Sequence, residues 1–369
     1  MASIIFRRSL LVLVALMAVI SLLLGWLLSG ASTLSLKDFE QPGSQLFAKT
    51  TRDGYEVVTD AWGRQLALTP LGQNPPPGWP LNRVIRTPPR RLVVATGFFD
   101  VGLLCDLGFG SSIIGVTKKE SEWLIPAIRE GLANERIAFL GTDYLLDFEK
   151  IHALKPDLIF GPGGRTVNIF DEMPFPSILT YSSDLNDLGI RLKFVDFLGH
   201  IFQAPEASER FRRDLRAAFH QVQAIIKDQA PTPVMWGTIF EKRFFVEPGD
   251  NWIGQILSQI GGDYLFSHVR GDSTSEVSLE SFIERGQRAE VLFLYPPLNA
   301  RLTDKKDLLA LNPLLGRLKP LSGQGRVYLS RTLFYQSFGR LNEIVLEMGA
   351  LLHPDLFPPR EILFFEELL

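Results

Sequence analysis

The chain has 369 residues, 46% of them hydrophobic and 21% charged, with a formal net charge of −3 at pH 7. Such a length can bury one large core or two medium ones, and the slightly acidic balance excludes the basic excess on which nucleic-acid binding rests. The single cysteine, Cys105, excludes an internal disulfide and a cysteine-built metal cluster. Set in the apolar run "VGLLCDLG", it reads as a buried structural thiol.

Residues 1–31 read as an export signal or anchor. Arg7 and Arg8 precede an uncharged run over 9–28, and Ser29 and Ala31 occupy the −3 and −1 positions of a cut before Ser32. The run is also long enough to span a bilayer if it is retained. No cysteine follows it, so a lipid anchor is not expected. Losing Arg7 and Arg8 takes the net charge from −3 to −5. Cut or retained, the segment places the body of the protein outside the cytoplasm.

Residues 32–90 form a lead-in. "GYEVVTDAWGRQLALTP" alternates apolar and polar residues about a turn at 60–63, a hairpin pattern, and the proline-rich "LGQNPPPGWPLNRVIRTPPRR" reads as extended linker or loop. Over 91–185 strands alternate with helices. "RLVVATG", "SIIGVT", "RIAFLG", "DLIF" and "FPSILTY" are the strands; "FDVGLLCDLGFG", "SEWLIPAIREGLA" and "FEKIHAL" are the helices. Residues 186–203 place Leu188, Leu192, Val195, Leu198, Ile201 and Phe202 at helical spacing with no strand punctuation, the pattern of a linking helix. Residues 204–369 open with a helix whose Pro205 suits a first turn, and then alternate again through "TPVMWGTIF", "GDNWIGQILSQIGG", "SLESFIERGQ", "AEVLFLYPP", "GRVYLS" and "GRLNEIVLEMGALL". The expected fold class is α/β: two lobes, each a mainly parallel sheet flanked by helices, joined by one rigid interlobe helix.

One pattern occurs twice. "DFEKIHALKPDLIF" in the first lobe has a counterpart, "SLESFIERGQRAEVLFL", in the second. Asp147 and Ser278 can each cap a helix, and Glu149 and Glu280 each stand two places further on. The plainest role for either glutamate is favourable interaction with the helix dipole. A catalytic acid–base pair would require the two to lie close together, which corresponding places in separate lobes do not allow.

These segments, with "VVTDAWGRQLAL", "RLVVATGFFDVGLLCDLGFGSSIIGVT", "GDNWIGQILSQIGGDYLF" and "LNEIVLEMGALLHPDLF", run in order over most of residues 54–357. In this they resemble the periplasmic substrate-binding proteins of ABC importers for iron–siderophore complexes, haem and cobalamin, whose two lobes are joined by a single rigid helix. The resemblance implies a non-enzymatic, monomeric receptor without a cofactor of its own. It would deliver a ferric siderophore or similar bulky iron complex, or alternatively cobalamin or haem, to the membrane subunits of an importer. It also gives Glu149 and Glu280 a role, since each lobe of that family presents one such glutamate on its rim to arginines of the membrane subunits. A carboxylate paired with arginine forms directional, bidentate bonds and steers association.

In a two-lobe α/β protein the ligand lies where the carboxyl ends of the strands face each other. The loops so placed are 96–100, 161–166, 240–245, 249–252, 295–301 and 330–340. From them Phe98, Phe99, Phe244, Trp252, Tyr295 and Tyr335 are candidates to pack on a flat or aryl ligand, and Arg165, Arg243, Arg301 and Arg331 to neutralise an anionic one. A bare metal ion is disfavoured, because the five histidines do not cluster and His268 alone sits in a loop suited to a ligand. No phosphate loop, serine elbow or dinucleotide fingerprint occurs. Two rival readings remain: an exported α/β enzyme acting on a carboxylated substrate through Asp100, Glu241 or Asp250, and an anchored sensor built on the same lobes.

Overall fold

The computed structural model describes residues 46–142, 145–180, 187–240, 242–271, 274–296 and 302–369. The expected export segment, Glu241 and Arg301 lie outside the described residues, and Arg165 is described in its backbone alone.

The lead-in folds as a four-stranded sheet of β1 (Lys49–Arg52), β2 (Tyr55–Thr59), β3 (Gln65–Pro70) and β4 (Val84–Thr87), in that spatial order. The expected hairpin is β2–β3. The proline-rich stretch is more than linker, since β4 pairs parallel to β3 with Val84 and Ile85 buried. Its prolines flank "VIRT" without interrupting it, so no ladder donor is lost. The turn between β2 and β3 is fixed to the next sheet by Asp60. This buried carboxylate accepts from the backbone N–H of Trp62 (2.9 Å), Arg64 (3.0 Å) and Leu179 (3.1 Å), and from Arg64 Nε (2.7 Å). Arg64 also pairs with Asp171 and donates to the Ser177 carbonyl at 2.7 Å.

The first lobe is a wholly parallel sheet. Its strands are β5 (Leu92–Val94), β6 (Ile113–Val116), β7 (Ala138–Phe139), then, beyond the small hairpin β8 (Gly141–Thr142) and β9 (Leu145–Leu146), β10 (Leu158–Gly161) and β11 (Ser177–Leu179). The order is β11-β10-β5-β6-β7. Helices α1 (Phe98–Asp106), α2 (Pro126–Ala133), α3 (Phe148–Leu154) and α4 (Val167–Glu172) accompany it. Val93, Ile159, Leu179, Ile151 and Phe170 meet in its core. The second helix starts at Pro126 rather than at Ser121, because proline lacks the N–H and collides with a preceding helical turn but fits a first one.

Helix α5 (Leu188–Ile201), capped by Asp187 on the Ile190 N–H at 3.1 Å, and the longer α6 (Pro205–Ile225) carry the chain from the first lobe to the second. The second lobe contains β12 (Thr232–Phe240), β13 (Arg243–Val246), α7 (Trp252–Gln259), β14 (Gly262–Tyr264), β15 (Ser275–Val277), α8 (Leu279–Gly286) and β16 (Val291–Leu294). It continues through α9 (Lys305–Leu311), β17 (Arg326–Ser330), α10 (Thr332–Tyr335), α11 (Leu341–Leu352) and β18 (Phe365–Glu367). Strands β12, β16 and β17 run parallel at the centre, while β13 and β18 pair antiparallel with their neighbours towards the edges. The nine-residue β12 pairs with β16 on one edge and, on the other, with β14 along its first half and β13 along its second.

Asp60→Asn should lower stability by about 3 kcal/mol, because it leaves the nearly buried Arg64 beside a neutral amide. A urea-unfolding midpoint measures the loss.

Candidate functional site

At the strand ends of the two lobes lies an open cavity of about 540 Å3, lined by Phe98 from the first lobe and by Thr238, Phe240, Phe245, Thr274, Tyr295, Pro296 and Tyr335 from the second. Phe98 is the first residue of α1, two places after the turn that ends β5. Phe240 ends β12, and Tyr295 follows β16 directly. Of the residues expected to meet ligand, Phe98, Tyr295 and Tyr335 line the cavity.

Phe244 does not. It is 2% exposed and packs on Phe282 with ring centroids 5.1 Å apart. The segment taken as a cleft loop is the hairpin β12–β13, turning at Lys242 with φ 64°, and strand alternation sends Phe244 to the core and Phe245 to the cavity. Trp252, at 4% exposure, and Phe99 belong to an aromatic cluster beneath the cavity. There Phe99 lies edge-on to Trp252 (6.3 Å), Tyr335 (5.9 Å) and Phe338 (6.4 Å), and Trp252 stacks on Phe334 at 6.0 Å. Arg331 turns away to the C-terminal segment, donating to the Ile362 carbonyl at 3.1 Å and lying 3.9 Å from Glu366. Arg243 pairs with Glu276 and holds its guanidinium 5.2 Å from the centre of the Phe245 ring. Lys118 stands likewise 5.4 Å from the Phe98 ring. Two wall rings, one from each lobe, thus have a cation beside them.

Below the cavity lies a charged group absent from the sequence expectations. Arg191, in the first turn of α5, places its guanidinium 5.9 Å from Phe99, 5.3 Å from Trp252 and 5.1 Å from Phe338. Its charge acts on two carboxylates, the half-buried Asp100 in α1 and the buried Glu247 after β13. Burial raises the pKa of Asp100, opposed by hydrogen bonds from Thr96 and Thr180 (2.8 Å) and by Arg191. Burial pushes Glu247 up to about 7, opposed by hydrogen bonds from Tyr295 and Asn251 and by Arg191. Tyr295, buried against Glu247, is raised as well, and burial takes Tyr335 to about 12, so both phenols are neutral donors at physiological pH. The sequence clue to Arg191 is its place in the mostly apolar run "LGIRLKFV".

Glu149 and Glu280 are each the second residue of a helix and each exposed. Asp147 caps the Lys150 N–H at 2.8 Å and Ser278 caps the Ser281 N–H at 3.1 Å. Beside Glu280 runs an open surface groove that includes Leu314 and Arg317. His268 is exposed, its Nε2 3.2 Å from Arg285, and does not line the cavity. Among the described residues, no three His, Cys, Asp or Glu side chains converge as metal ligands.

Two α/β lobes joined through a helix and facing each other over an aromatic cavity define the bilobal class of solute-binding fold. The family model "Periplasmic binding protein" matches residues 93–330, and the chain belongs to that family. An uncharacterized lipoprotein of Methanocaldococcus jannaschii is 25% identical over 330 residues, covering 84% of this chain and 78% of that protein. Among solved structures, a periplasmic heme-binding protein from Pseudomonas aeruginosa superposes with a TM-score of 0.61 at 18% identity, over 76% of this chain and 98% of its own. The petrobactin-binding protein YclQ of Bacillus subtilis gives 0.58 at 15% identity, over 74% and 94%. The Helicobacter pylori protein Ceue, solved with Ni(II) bound, gives 0.59 at 15%, over 82% and 90%.

Two outcomes follow from this geometry. Phe244→Ala should cost about 3 kcal/mol of stability or more, whereas Phe245→Ala, at the cavity wall, should shift a denaturation midpoint little. A carboxyl group raised from 4.5 to about 7 on folding stabilises the fold below pH 4.5, and this contribution is lost as pH rises through 7. Glu247→Gln should therefore flatten the fall in stability between pH 4.5 and 7, read from urea midpoints across that range.

Proposed function

We propose that this protein is a non-enzymatic, extracytoplasmic receptor that binds a ferric siderophore or a similarly bulky iron chelate and delivers it to an ABC importer. The observation that carries the reading is the interlobe cavity, walled by Phe98, Phe240, Phe245, Tyr295 and Tyr335. Such walls recognise an organic envelope rather than a naked ion. Lys118 beside Phe98 and Arg243 beside Phe245 suit a ligand whose aryl or apolar body has anionic edges. Haem and cobalamin share the broad apolar faces that this chemistry rewards, and they are the alternative cargoes. The Asp100 carboxylate is already engaged by Thr96 and Thr180, which disfavours an enzymatic role for it.

Glu149 and Glu280 are proposed as the two contacts to the importer's membrane subunits. Both are exposed and stand in the first turn of a helix.

Titration of the purified protein with a ferric catecholate siderophore, hemin and cyanocobalamin, followed by tryptophan fluorescence, is the test. Trp123, edge-on to Phe98 at 4.9 Å, is placed to report occupancy. One of the three chelates should bind, and Phe245→Ala should weaken that binding about tenfold. Binding of none, with turnover of a small ester or glycoside, would overturn the receptor reading. The double variant Glu149→Ala/Glu280→Ala should abolish uptake in cells while leaving the dissociation constant unchanged.

A further inference from the structure

The β2–β3 turn carries a large aromatic side chain with no part in the cavity wall described above. Trp62 is 40% exposed, yet its backbone is firmly held. Its N–H donates to Asp60 at 2.9 Å, the neighbouring Ala61 N–H donates to the Leu179 carbonyl at the end of β11 (3.1 Å), and Asp60 accepts the Leu179 N–H in return (3.1 Å). The indole lies directly on Gly163, where an added Cβ would fall 1.8 Å from the ring. Gly163 has φ −76° and ψ −154°, extended backbone that any residue adopts. Its missing side chain is therefore explained by room for the indole, not by backbone conformation.

Gly163 stands two residues beyond β10, and Phe98 four residues beyond β5. These strands are parallel neighbours, with Phe160 opposite Val94. Trp62 therefore rests on a loop that leaves the same carboxyl edge of the first-lobe sheet as the cavity wall. Its indole covers Gly163 while 40% of the residue stays exposed, on a backbone fixed by the buried Asp60. A rigid aromatic anchor of that kind binds at small entropic cost.

We propose that Trp62 is a ligand-contacting residue, a stacking platform on the first lobe for a flat or aryl part of the chelate, seated there by Gly163. The inference rests on the receptor reading above. It adds to that reading a recognition element supplied by the N-terminal sheet.

The test uses purified wild type, Trp62→Ala, Trp62→Phe and Gly163→Ala, each titrated with hemin, cyanocobalamin and a ferric catecholate siderophore. For the chelate that wild type binds, Trp62→Ala should weaken binding about tenfold, and Trp62→Phe should recover part of the loss. Gly163→Ala should match Trp62→Ala, since it displaces the ring without deleting it. Thermal midpoints close to wild type would show that the loss is local. A second readout is iodide quenching. The quenchable emission present in wild type and absent in Trp62→Ala should be shielded in the saturated complex. Wild-type affinity in Trp62→Ala, or persistent quenching of Trp62 in the complex, would overturn this inference and leave the receptor reading intact. Failure of wild type to bind any of the three probes would overturn both.

Discussion

A guanidinium between two lobes needs compensation from both of them. Arg191 receives it from Asp100 in the first lobe and Glu247 in the second, and from rings on each side, Phe99 from one and Trp252 and Phe338 from the other. Removing one partner of such a group is far more costly than the net worth of the contact, because the remaining charges are stranded in a poorly solvated site. The cluster therefore resists any motion that separates α1 from the segment after β13. Other contacts tighten the same joint. Gln336 of the second lobe accepts the Leu124 N–H and donates to the Glu122 carbonyl, both at 2.8 Å. Gly102 brings α1 so close that a Cβ there would lie 2.2 Å from the Gln336 carbonyl oxygen. These contacts, with the Arg191 cluster, join the two lobes at the floor of the cavity.

With the base fixed, the cavity above it is built from what the strands deliver at their ends. Tyr295 shows the coupling. It follows β16, lines the cavity, and hydrogen-bonds Glu247, whose charge also feels Arg191. Tyr335 combines a place in the wall with a bond to Ser330 at 2.9 Å and an edge contact to Phe99. The wall and the interlobe cluster are thus one packed unit, and a ligand that moves the rings also perturbs the environment of the buried charges.

The architecture was legible in the sequence because it rests on local signals. Alternation and helical spacing identified most strands and helices, and the caps at Asp147 and Ser278 fall where the residue types suggested. The site was less legible, because its decisive facts are non-local. Whether Phe244 or Phe245 faces the cavity depends on the hairpin register, which turns on the positive φ of Lys242, a residue type with no turn preference. Arg331 looked like a cleft residue until the C-terminal segment, more than thirty positions away, took it through the Ile362 carbonyl. Arg191 and Glu247 lie 56 positions apart, and only the folded chain brings them together.

The repeated helix–strand unit acquires a geometric meaning from the sheets. In the first lobe α3 connects β7 to β10, parallel strands of one sheet, and in the second α8 connects β15 to β16, which run the same way. A crossover helix runs antiparallel to the strands it joins, so it begins at the edge where those strands end. The carboxyl edge is also where the cavity lies. Glu149 and Glu280, second in their helices, are held at that edge by connectivity alone. In each unit the strand that follows then returns to the cleft, β10 to the loop beneath Trp62 and β16 to Tyr295. In the second lobe one short helix–strand segment thus runs from Glu280 to the cavity-lining Tyr295, while in the first the corresponding segment runs from Glu149 to the loop on which Trp62 rests.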